Sequence, residues 1–472
     1  MSTALAVQLA EFAVGARFDR LPTEVGTSVV ERVLDSVGVS LGAFPLDTSQ
    51  AAIAVVRSRG GTAQARVIGS GDRLPAASAA FANGVLAHSL DYDDTHLPSI
   101  LHPSASIVPG ALAAAQLFGR SGAEFLTAVA VGLEVCVRLG MSGYDEKTNS
   151  NVFFDRGQHA TSICGTIGAA VAAAKLSGAD AGGICDAIGI SASMAAGIIE
   201  ANRGGGTVKR LHCGWAAQSG VSAAELTAHG FTGPDTVLEG RFGLLNAFLG
   251  EHADLRVVTA DLGGHWHVPD IFVKPYPANH FTHTVVDAAA ELARRGVRPV
   301  DIVSVEVGVP DAIVRTIGEP IEVKRAPQTG YQAQFSGPYA VTVGLLGGHG
   351  LGAALVDYTD ELAQDAERRA IMRRVTVVAD ATCDEVYPHQ FPAVLTAELT
   401  DGTRQVSEVM VNRGGRLRPL SRPELETKFT DNATRVLTEG QVTGALAEIR
   451  RLPEAATVDA LLAAVSVAEE SR

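Results

Sequence analysis

The sequence is poor in aromatic residues and contains no long basic run and no long apolar run. Aromatic side chains make up 5% of its 472 residues, and its formal net charge is −14. An acidic chain without runs of lysine and arginine does not offer a nucleic-acid-binding surface. The longest apolar runs, such as residues 167–174, fall well short of the roughly 20 residues that a membrane-spanning helix needs. We therefore expect neither nucleic acid nor membrane among its partners.

Targeting and cofactor motifs are also missing. The first 18 residues have no basic start and no cleavable apolar block, so they predict an amphipathic helix rather than a signal peptide. Neither a G-x-S-x-G motif nor a G-x-G-x-x-G motif after a predicted strand is present, which argues against a serine nucleophile and a dinucleotide site. The cysteines are odd in number, widely spaced and without a C-x-x-C pair: Cys136, Cys164, Cys185, Cys213 and Cys383. They indicate buried thiols in a reducing cytoplasm, with no iron–sulfur cluster or structural zinc.

The length and the hydrophobic pattern predict two domains. Apolar residues recur at helical spacing through the first half of the chain, and many of these segments are rich in alanine and glycine, which favours closely crossing helices. Helices are predicted at about 3–16, 22–44, 48–59, 74–90, 105–118, 122–140, 158–176, 180–200, 213–229, 281–296, 336–347, 360–373, 424–432, 440–451 and 457–469. The fold class is mainly α, a large all-helical domain with an inserted smaller α+β lid domain.

The inserted domain is predicted where alternating patterns appear. Residues 301–309 and 375–379 alternate apolar side chains, and residues 393–411 form two strands around the turn Asp401-Gly402. We expect residues 1–269 to form the helical domain, residues 270–405 the α+β lid, and residues 406–472 a C-terminal segment returning to the helical domain.

A stretch of about twenty residues between two alanine-rich segments concentrates polar side chains. It contains Asn83-Gly84, the run 87–96 and His102-Pro103-Ser104. Burying so many polar groups is costly unless they are paired or used in chemistry, so the stretch is a candidate site. The hydroxyls and proline that follow predict a helix start near residue 105. The N–H groups at that helix end would face the acidic loop and suit a substrate carboxylate.

Purely structural roles are an open alternative for these residues. Asp91, Asp93 and Asp94 are residue types that often form turns and helix caps. His102 precedes a proline, which disfavours helical conformation, and it could be an ordinary loop histidine.

Further candidate groups lie in distant segments of the chain. Arg156 and His159 open a predicted helix, Lys209 follows a run of glycines, and Lys274 lies in a proline-stiffened segment. Such cations and histidines suit proton transfer next to a carboxylate, because lysines neutralise the anion and the charge that develops on it. A capping role for His159 and a solvated loop over residues 202–214 are the structural alternatives.

A metal site could instead be assembled from His265, His267, His280 and His283. These histidines form only H-x-H and H-x-x-H pairs, and no carboxylate frames them. We therefore expect no metal and no other cofactor.

These motifs resemble the MmgE/PrpD family, which includes 2-methylcitrate dehydratase, cis-aconitate decarboxylase and iminodisuccinate epimerase. The resemblance covers nearly the whole chain, in order. It continues from the stretch 83–104 through Arg156-Gly157-Gln158-His159, Lys209-Arg210-Leu211-His212-Cys213-Gly214, Phe231-Thr232-Gly233-Pro234, Lys274-Pro275-Tyr276-Pro277 and Phe335-Ser336-Gly337-Pro338-Tyr339.

The resemblance implies a homodimer with a cofactor-independent active site between the helical domain and the lid. It implies that the pocket is lined by Asp91, Thr95, His102, His159, Lys209, Lys274 and Tyr339. We assign His102, Lys209, His159 and Asp91 to catalysis, and Thr95, Lys274, Tyr339 and Arg156 to substrate binding.

The resulting functional prediction is a lyase. It would dehydrate or decarboxylate a small di- or tricarboxylate by proton transfer next to a carboxylate. An epimerase of a dicarboxylate such as iminodisuccinate is the first alternative, since both reactions pass through a carbanion-like state. A non-catalytic family member that only binds a carboxylate is the second.

Overall fold

The computed structural model describes residues 3–201 and 206–467. The chain forms two compact units: residues up to Ile271 together with residues from Asn432 form one, and Phe272–Asp431 form the other. The structure is 57% helical and 10% sheet, which confirms the mainly α class.

The first unit, called here the helical unit, contains a succession of packed helices. Their bounds are Leu5–Gly15, Thr23–Ala43, Asp47–Arg59, Ala76–His88, Ser104–Phe118, Gly122–Met141, Val152–Asp155, Ala160–Ser177, Ala181–Ala192, Val208–Ala228, Leu244–Leu249, Arg256–Thr259, Glu439–Arg451 and Asp459–Ala464. Two short hairpins, which the sequence did not predict, pair Ala65–Arg66 with Arg73–Leu74 and Tyr144–Asp145 with Ser150–Asn151.

Glycines allow the central helices of this unit to touch. Where helix Ala76–His88 crosses helix Val208–Ala228, a Cβ atom on Gly84 would lie 2.8 Å from the Cα atom of Gly214. A Cβ atom on Gly214 would lie 2.5 Å from a backbone carbonyl oxygen of the first helix. Since no side chain fits at either position, the crossing depends on both glycines. It sets the spacing between the helix that ends at His88 and the helix that carries Lys209.

The second unit contains a four-stranded sheet. Its strands are Ile302–Val309, Val375–Ala379, Ala393–Leu399 and Arg404–Val409. The first two pair in parallel, and the other contacts are antiparallel, with Ile302–Val309 and Ala393–Leu399 at the centre. Its helices are His283–Arg294, Asp311–Ile317, Ile321–Lys324, Gly330–Ala333, Gly337–Leu346, Asp360–Gln364, Ala366–Met372 and Ala381–Asp384. The strands coincide with the predicted ones.

The C-terminal segment packs within the helical unit. The N–H group of Gly69 donates to the carbonyl of Val465 over 2.8 Å, and that of Gly122 donates to the carbonyl of Ala455 over 2.8 Å. The second crossing between the units lies at Asn432, inside helix Arg422–Ala433, rather than near residue 405. The second unit extends beyond the predicted boundary because the segment after the last strand still contacts residues of that unit.

Two of those contacts are specific. The N–H group of Val273 donates to the carbonyl of Gly414 over 2.9 Å, and Arg418 forms an ion pair of 3.1 Å with Asp287. Both link the segment after the last strand to the beginning of the second unit.

Several helix ends differ from the prediction. The helix expected at 180–200 ends at Ala192, and the one expected at 213–229 begins at Val208. The segment 360–373 forms two helices, because Asp365 leaves helical conformation and its side chain caps the second helix by accepting from the N–H group of Arg368.

One described helix, Ala160–Ser177, is long and apolar enough to cross a membrane. In the structure 89% of it is buried inside the protein, as in the core of a globular domain. The bent pair Thr23–Ala43 and Asp47–Arg59 also passes this test when both helices are counted together.

Candidate active site

The polar stretch forms a buried loop between two helices of the helical unit. Helix Ala76–His88 precedes the loop, and helix Ser104–Phe118 follows it directly. Asp91 has a φ of 53°, a left-handed backbone conformation that aspartate tolerates better than most residues. Such conformations are costly and are often found where function requires one side-chain direction.

His88 and Asp93 form a buried pair in this loop. Nδ1 of His88 lies 2.6 Å from Oδ2 of Asp93, and the side chains are 1% and 3% exposed. Because an ionised carboxylate only accepts hydrogen bonds, Nδ1 carries the hydrogen. The ring of His88 is centred 5.3 Å from that of His102 and 5.6 Å from that of His159. The pair therefore orients a ring at the centre of a histidine cluster.

Asp94 belongs to the loop, and its buried carboxylate lies against the first residue of the helix that follows. Its carboxylate accepts from the backbone N–H of Ser104 over 3.2 Å and from the hydroxyl of Ser104 over 2.5 Å, and it lies 3.7 Å from the guanidinium of Arg32. Burial raises the pKa of Asp94 to about 6, although Arg32 and Ser104 act to lower it. The Ser104 N–H group, which we expected to face a substrate carboxylate, is therefore taken by a carboxylate of the protein.

His102 combines a fixed ring with access to solvent. Its backbone N–H donates to Oγ1 of Thr161 over 3.2 Å, and its Nδ1 donates to the carbonyl oxygen of Asp94 over 2.8 Å. The hydroxyl of Thr95 lies 3.4 Å from the same nitrogen. Since a carbonyl can only accept, Nδ1 holds a hydrogen and Nε2 is the atom that can exchange a proton. The side chain is 13% exposed, compared with 1% for His88.

Lys209 lies in the first turn of helix Val208–Ala228. Its ammonium group donates to Oδ1 of Asp91 over 3.2 Å, and the two side chains are 22% and 10% exposed. Asp91, with its left-handed backbone, therefore holds the most accessible cation of the cluster. Residues 202–205, which include most of the predicted glycine-rich loop, lie outside the described residues.

His159 and His212 form a second histidine pair. The backbone N–H of His159 donates to the carbonyl of Gly197 over 3.0 Å, and its Nδ1 lies 2.8 Å from Nδ1 of His212. Burial, with the nearby charge of Lys209 and neighbouring histidines, lowers the pKa of His159 well below its ordinary value. The same causes lower the pKa of His212 to about 4. Both rings are neutral at pH 7, so one Nδ1 donates and the other accepts.

The low pKa values of this pair make stability depend on pH. Unfolding raises both values toward about 6.5, so the stabilisation is complete above that pH and is lost as pH falls toward 4. Each histidine contributes at most about 1.4 kcal/mol per pH unit in this range. Replacing His212 with asparagine should therefore flatten the decline in thermal midpoint between pH 6.5 and pH 5.

The control for this comparison is His229→Asn. His229 is an exposed histidine near the end of the same helix, so its replacement should leave the decline unchanged. The raised pKa of Asp94 has the opposite effect, since its stabilisation is lost as pH rises from about 4 to 6. That contribution is common to all three proteins and cancels in the comparison. Equal pH slopes in the parent and His212→Asn would contradict the prediction.

The structure brings together five of the eight predicted site residues within the helical unit: Asp91, Thr95, His102, His159 and Lys209. Arg156 belongs to the same unit but is exposed, and its guanidinium donates to the carbonyl of Phe248 over 2.5 Å. No contact between Arg156 and the cluster appears among the described interactions. Its role in substrate binding stays a prediction.

Lys274 and Tyr339 belong to the second unit. The side chain of Lys274 is among the fully buried ones. The hydroxyl of Tyr339 donates to the carbonyl of Asp357 over 2.5 Å, and Arg368 lies over its ring at 5.7 Å. Burial raises the pKa of Tyr339 to about 12. Their roles in substrate binding also stay predictions.

Sequence reasoning did not assign roles to His88, Asp93, Asp94, His212 and Arg32, which complete the cluster. His212 could have been found, since residues three apart on a helix share a face and Lys209 was already a candidate. Arg32 reaches Asp94 only through tertiary packing, and no local signal marks it.

The fold and the site are those expected of an enzyme. The helical unit places histidines, carboxylates and a lysine around the partly exposed imidazole of His102. Family models match both parts of the chain, the MmgE/PrpD N-terminal domain over residues 7–255 and the MmgE/PrpD C-terminal domain over residues 276–452. The chain belongs to the MmgE/PrpD family.

Curated relatives of this chain include cis-aconitate decarboxylases and a protein named for its likeness to them. Cis-aconitate decarboxylase from Homo sapiens is 30% identical over 81% of this chain and 78% of its own length. The enzyme of the same name from Aspergillus terreus is 28% identical over 61% of this chain and 60% of its own length. Cis-aconitate decarboxylase-like protein oryM from Aspergillus oryzae is 25% identical over 94% of both chains.

Proposed function

We propose that the protein is a lyase that acts on a small di- or tricarboxylate by proton transfer next to a carboxylate, without a metal or organic cofactor. Decarboxylation of cis-aconitate is the first reaction to test, because relatives similar over most of this chain carry that name. Dehydration of a related polycarboxylate is the second lyase reaction that the same groups could perform.

The observation that carries the proposal is the arrangement of His102. Its Nδ1 is fixed by the Asp94 carbonyl, so Nε2 is the proton-exchanging atom, and the ring is more open than its buried neighbour His88. The Asp93 carboxylate lies 3.8 Å from Nδ1 and stabilises the protonated ring. A fixed and partly accessible imidazole is suited to general acid catalysis.

In the proposed decarboxylation the bond between a substrate carbon and one carboxylate breaks and carbon dioxide leaves. The electron pair is delocalised over the adjacent double bond of the substrate, and one carbon of this system then takes the proton from Nε2 of His102. The neutral ring regains a proton from solvent, so atoms and charge balance. Lys209 stabilises the remaining carboxylates and the carbanion-like transition state, and Asp91 holds its ammonium group in place.

The neutral histidine pair has a different role in this proposal. Because the pKa values of His159 and His212 are low, their rings offer hydrogen bonds rather than positive charge. His159 is also a second group that could exchange a proton. An epimerase needs two such groups on opposite faces of the substrate, and epimerisation is therefore kept as the alternative activity.

Proton NMR spectra of candidate substrates, incubated with tag-free protein in heavy water, distinguish these reactions. The substrates are cis-aconitate, 2-methylcitrate and iminodisuccinate. A decarboxylase should release carbon dioxide and incorporate one deuterium into the product. A dehydratase should give an unsaturated product, and an epimerase should exchange hydrogen at the stereocentre without net loss of mass. Binding without turnover or exchange of any of them would favour a carboxylate-binding protein instead.

We also propose that the protein acts as a homodimer in the cytoplasm. Val208, Leu211 and Trp215 form a stripe on one face of helix Val208–Ala228, and their side chains are 47%, 41% and 40% exposed. An exposed apolar stripe on a largely buried helix fits a second copy of the chain. The five cysteines are all buried and free, as in a reducing compartment.

Light scattering after size exclusion should give twice the chain mass of 48.9 kDa at micromolar concentration. Replacing Leu211 with glutamate should shift the protein toward the monomer, because it places a charge in the apolar stripe. Val300→Glu is the control, since Val300 is a 71% exposed residue of the second unit. A parent protein that elutes as an active monomer would reject the dimer.

A further inference from the structure

A second group of ligand-type side chains lies in the helical unit, outside the cluster around His102 and Lys209, and the ring of His96 is centred 6.1 Å from that of His267 in this group. The sequence His265-Trp266-His267-Val268-Pro269-Asp270 follows helix Arg256–Thr259. Single ligand atoms of His265, His267 and Asp270 all lie within 4.8 Å of one another. Among the histidine, cysteine, aspartate and glutamate residues in the described part of the chain, these three are the group of at least three whose ligand atoms lie this close together.

The group differs from the histidine set considered from sequence. His265 and His267 belong to the helical unit, whereas His280 and His283 belong to the second unit. Within the second unit, the rings of His280 and His283 are centred 4.7 Å apart. The expectation that no carboxylate frames the histidines was wrong for His265 and His267, because Asp270, three residues after His267, lies beside them.

A buried ion pair fixes the backbone that carries these ligands. Nε of Arg138 lies 2.7 Å from Oε1 of Glu134, and the side chains are 1% and 0% exposed. Arg138 also donates to the carbonyl of His265 over 2.8 Å, and Glu134 accepts from the backbone N–H of His267 over 2.7 Å. Trp266, between the two histidines, is buried and lies 5.2 Å from the ring of a phenylalanine in the first helix. The backbone is therefore held on both sides.

The side chains lie toward solvent while their backbone is held. His265 is exposed, and His267 and Asp270 are half-buried. Two imidazoles and one carboxylate around an accessible position match a zinc site with three protein ligands and one water. Zinc–nitrogen bonds of about 2.0–2.1 Å place tetrahedral ligand atoms roughly 3.4 Å apart. Closing from at most 4.8 Å to this spacing is a small movement, and the side chain of His265 is exposed.

The charges at the group also suit a divalent cation. Glu134 neutralises the nearby charge of Arg138, and Asp270 adds one negative charge at the rim. Imidazole ligands select zinc, copper and nickel over magnesium and calcium, which prefer oxygen. We propose that His265, His267 and Asp270 form a binding site for one divalent transition-metal ion of the zinc type, separate from the candidate active site.

Isothermal titration of Zn²⁺ into tag-free, EDTA-dialysed protein tests the proposal. The parent should bind one Zn²⁺ ion per chain, with His265, His267 and Asp270 as its protein ligands. His265→Ala, His267→Ala and Asp270→Asn should each weaken binding by at least about 10-fold, as losses in metal coordination typically do. His252→Ala is the matched control, because it removes an exposed histidine of the same unit and should bind as the parent does.

Three results would overturn the proposal: no Zn²⁺ binding by the parent, unchanged binding by His267→Ala, or loss of binding in His102→Ala. The last would locate the ion on the active-site histidines. Activity on the verified substrate should survive EDTA dialysis in every variant of the three ligands, since these residues take no part in the proposed proton transfer. Activity lost on dialysis and restored by Zn²⁺ would contradict the separation of the two sites. Titration does not depend on turnover, so it remains informative if the proposed lyase activity fails.

Discussion

Replacing His102 with alanine should lower kcat by about 10²–10⁴-fold, the usual contribution of general acid–base catalysis, while KM changes little. The expected reason is that Nε2 of His102 supplies the proton in the transition state, whereas the charge that binds the substrate comes mainly from lysine. Steady-state kinetics on the substrate identified by NMR measure both parameters. Circular dichroism and thermal melting must first show that the variant is folded.

His229→Ala is a closely matched control for this experiment. Nδ1 of His229 also lies 2.8 Å from a carbonyl oxygen, that of Glu225, but the residue is exposed near a helix end and has no assigned role. Its replacement should leave kcat unchanged. A folded His102→Ala protein with near-parental kcat would show that another group donates the proton, and His159 or Lys209 would then be the next candidate.

Replacing Lys209 with alanine should raise KM as well as lower kcat. The ammonium group is expected to contact a carboxylate in both the bound substrate and the transition state, so its loss weakens both. A hydrogen bond to a charged group is worth about 1.5–3 kcal/mol, which corresponds to about 10–100-fold in kcat/KM. This pattern should separate Lys209 from His102, whose loss affects kcat alone.

Two further variants sharpen the Lys209 test. Asp91→Asn should reduce activity less than Lys209→Ala, because it loosens the ammonium group without removing it. In the double variant the two losses should not add, since Asp91 acts through Lys209. Lys147→Ala, at an exposed lysine of the same unit, should behave like the parent. Strictly additive losses for Asp91 and Lys209 would mean that they act independently.

Local sequence signals predicted the elements that depend on local chemistry. The hairpin at Asp401-Gly402 was found because its turn needs a left-handed residue, and Gly402 has a φ of 83°. The break at Asp365 was missed because no glycine or proline marks it, and an aspartate cap inside a helical pattern is a weak signal. The early start of the Lys209 helix was missed because its first turn follows closely on a run of glycines.

The sequence predicted several residues of the candidate site but not the side-chain contacts between them. Asp91, His102 and Lys209 were selected from residue type and motif resemblance, and their geometry agrees with a shared cluster. The pairing of His159 with His212, and of Asp94 with Arg32, joins segments that are 53 and 62 positions apart. Such pairs arise from helix packing, and a single sequence carries no local pattern for them.

The crossing at Gly84 and Gly214 limits how this protein can be stabilised by engineering. Exchanging a helical glycine for alanine often gains stability, by roughly 0.4–1 kcal/mol, because the unfolded chain loses freedom. Here the added methyl group would meet backbone atoms at 2.8 Å or less, so the helices would have to separate. A library that replaces glycines by consensus should therefore leave these two positions fixed. An alanine at either position would also displace the helix that carries Lys209 from the helix that ends at His88.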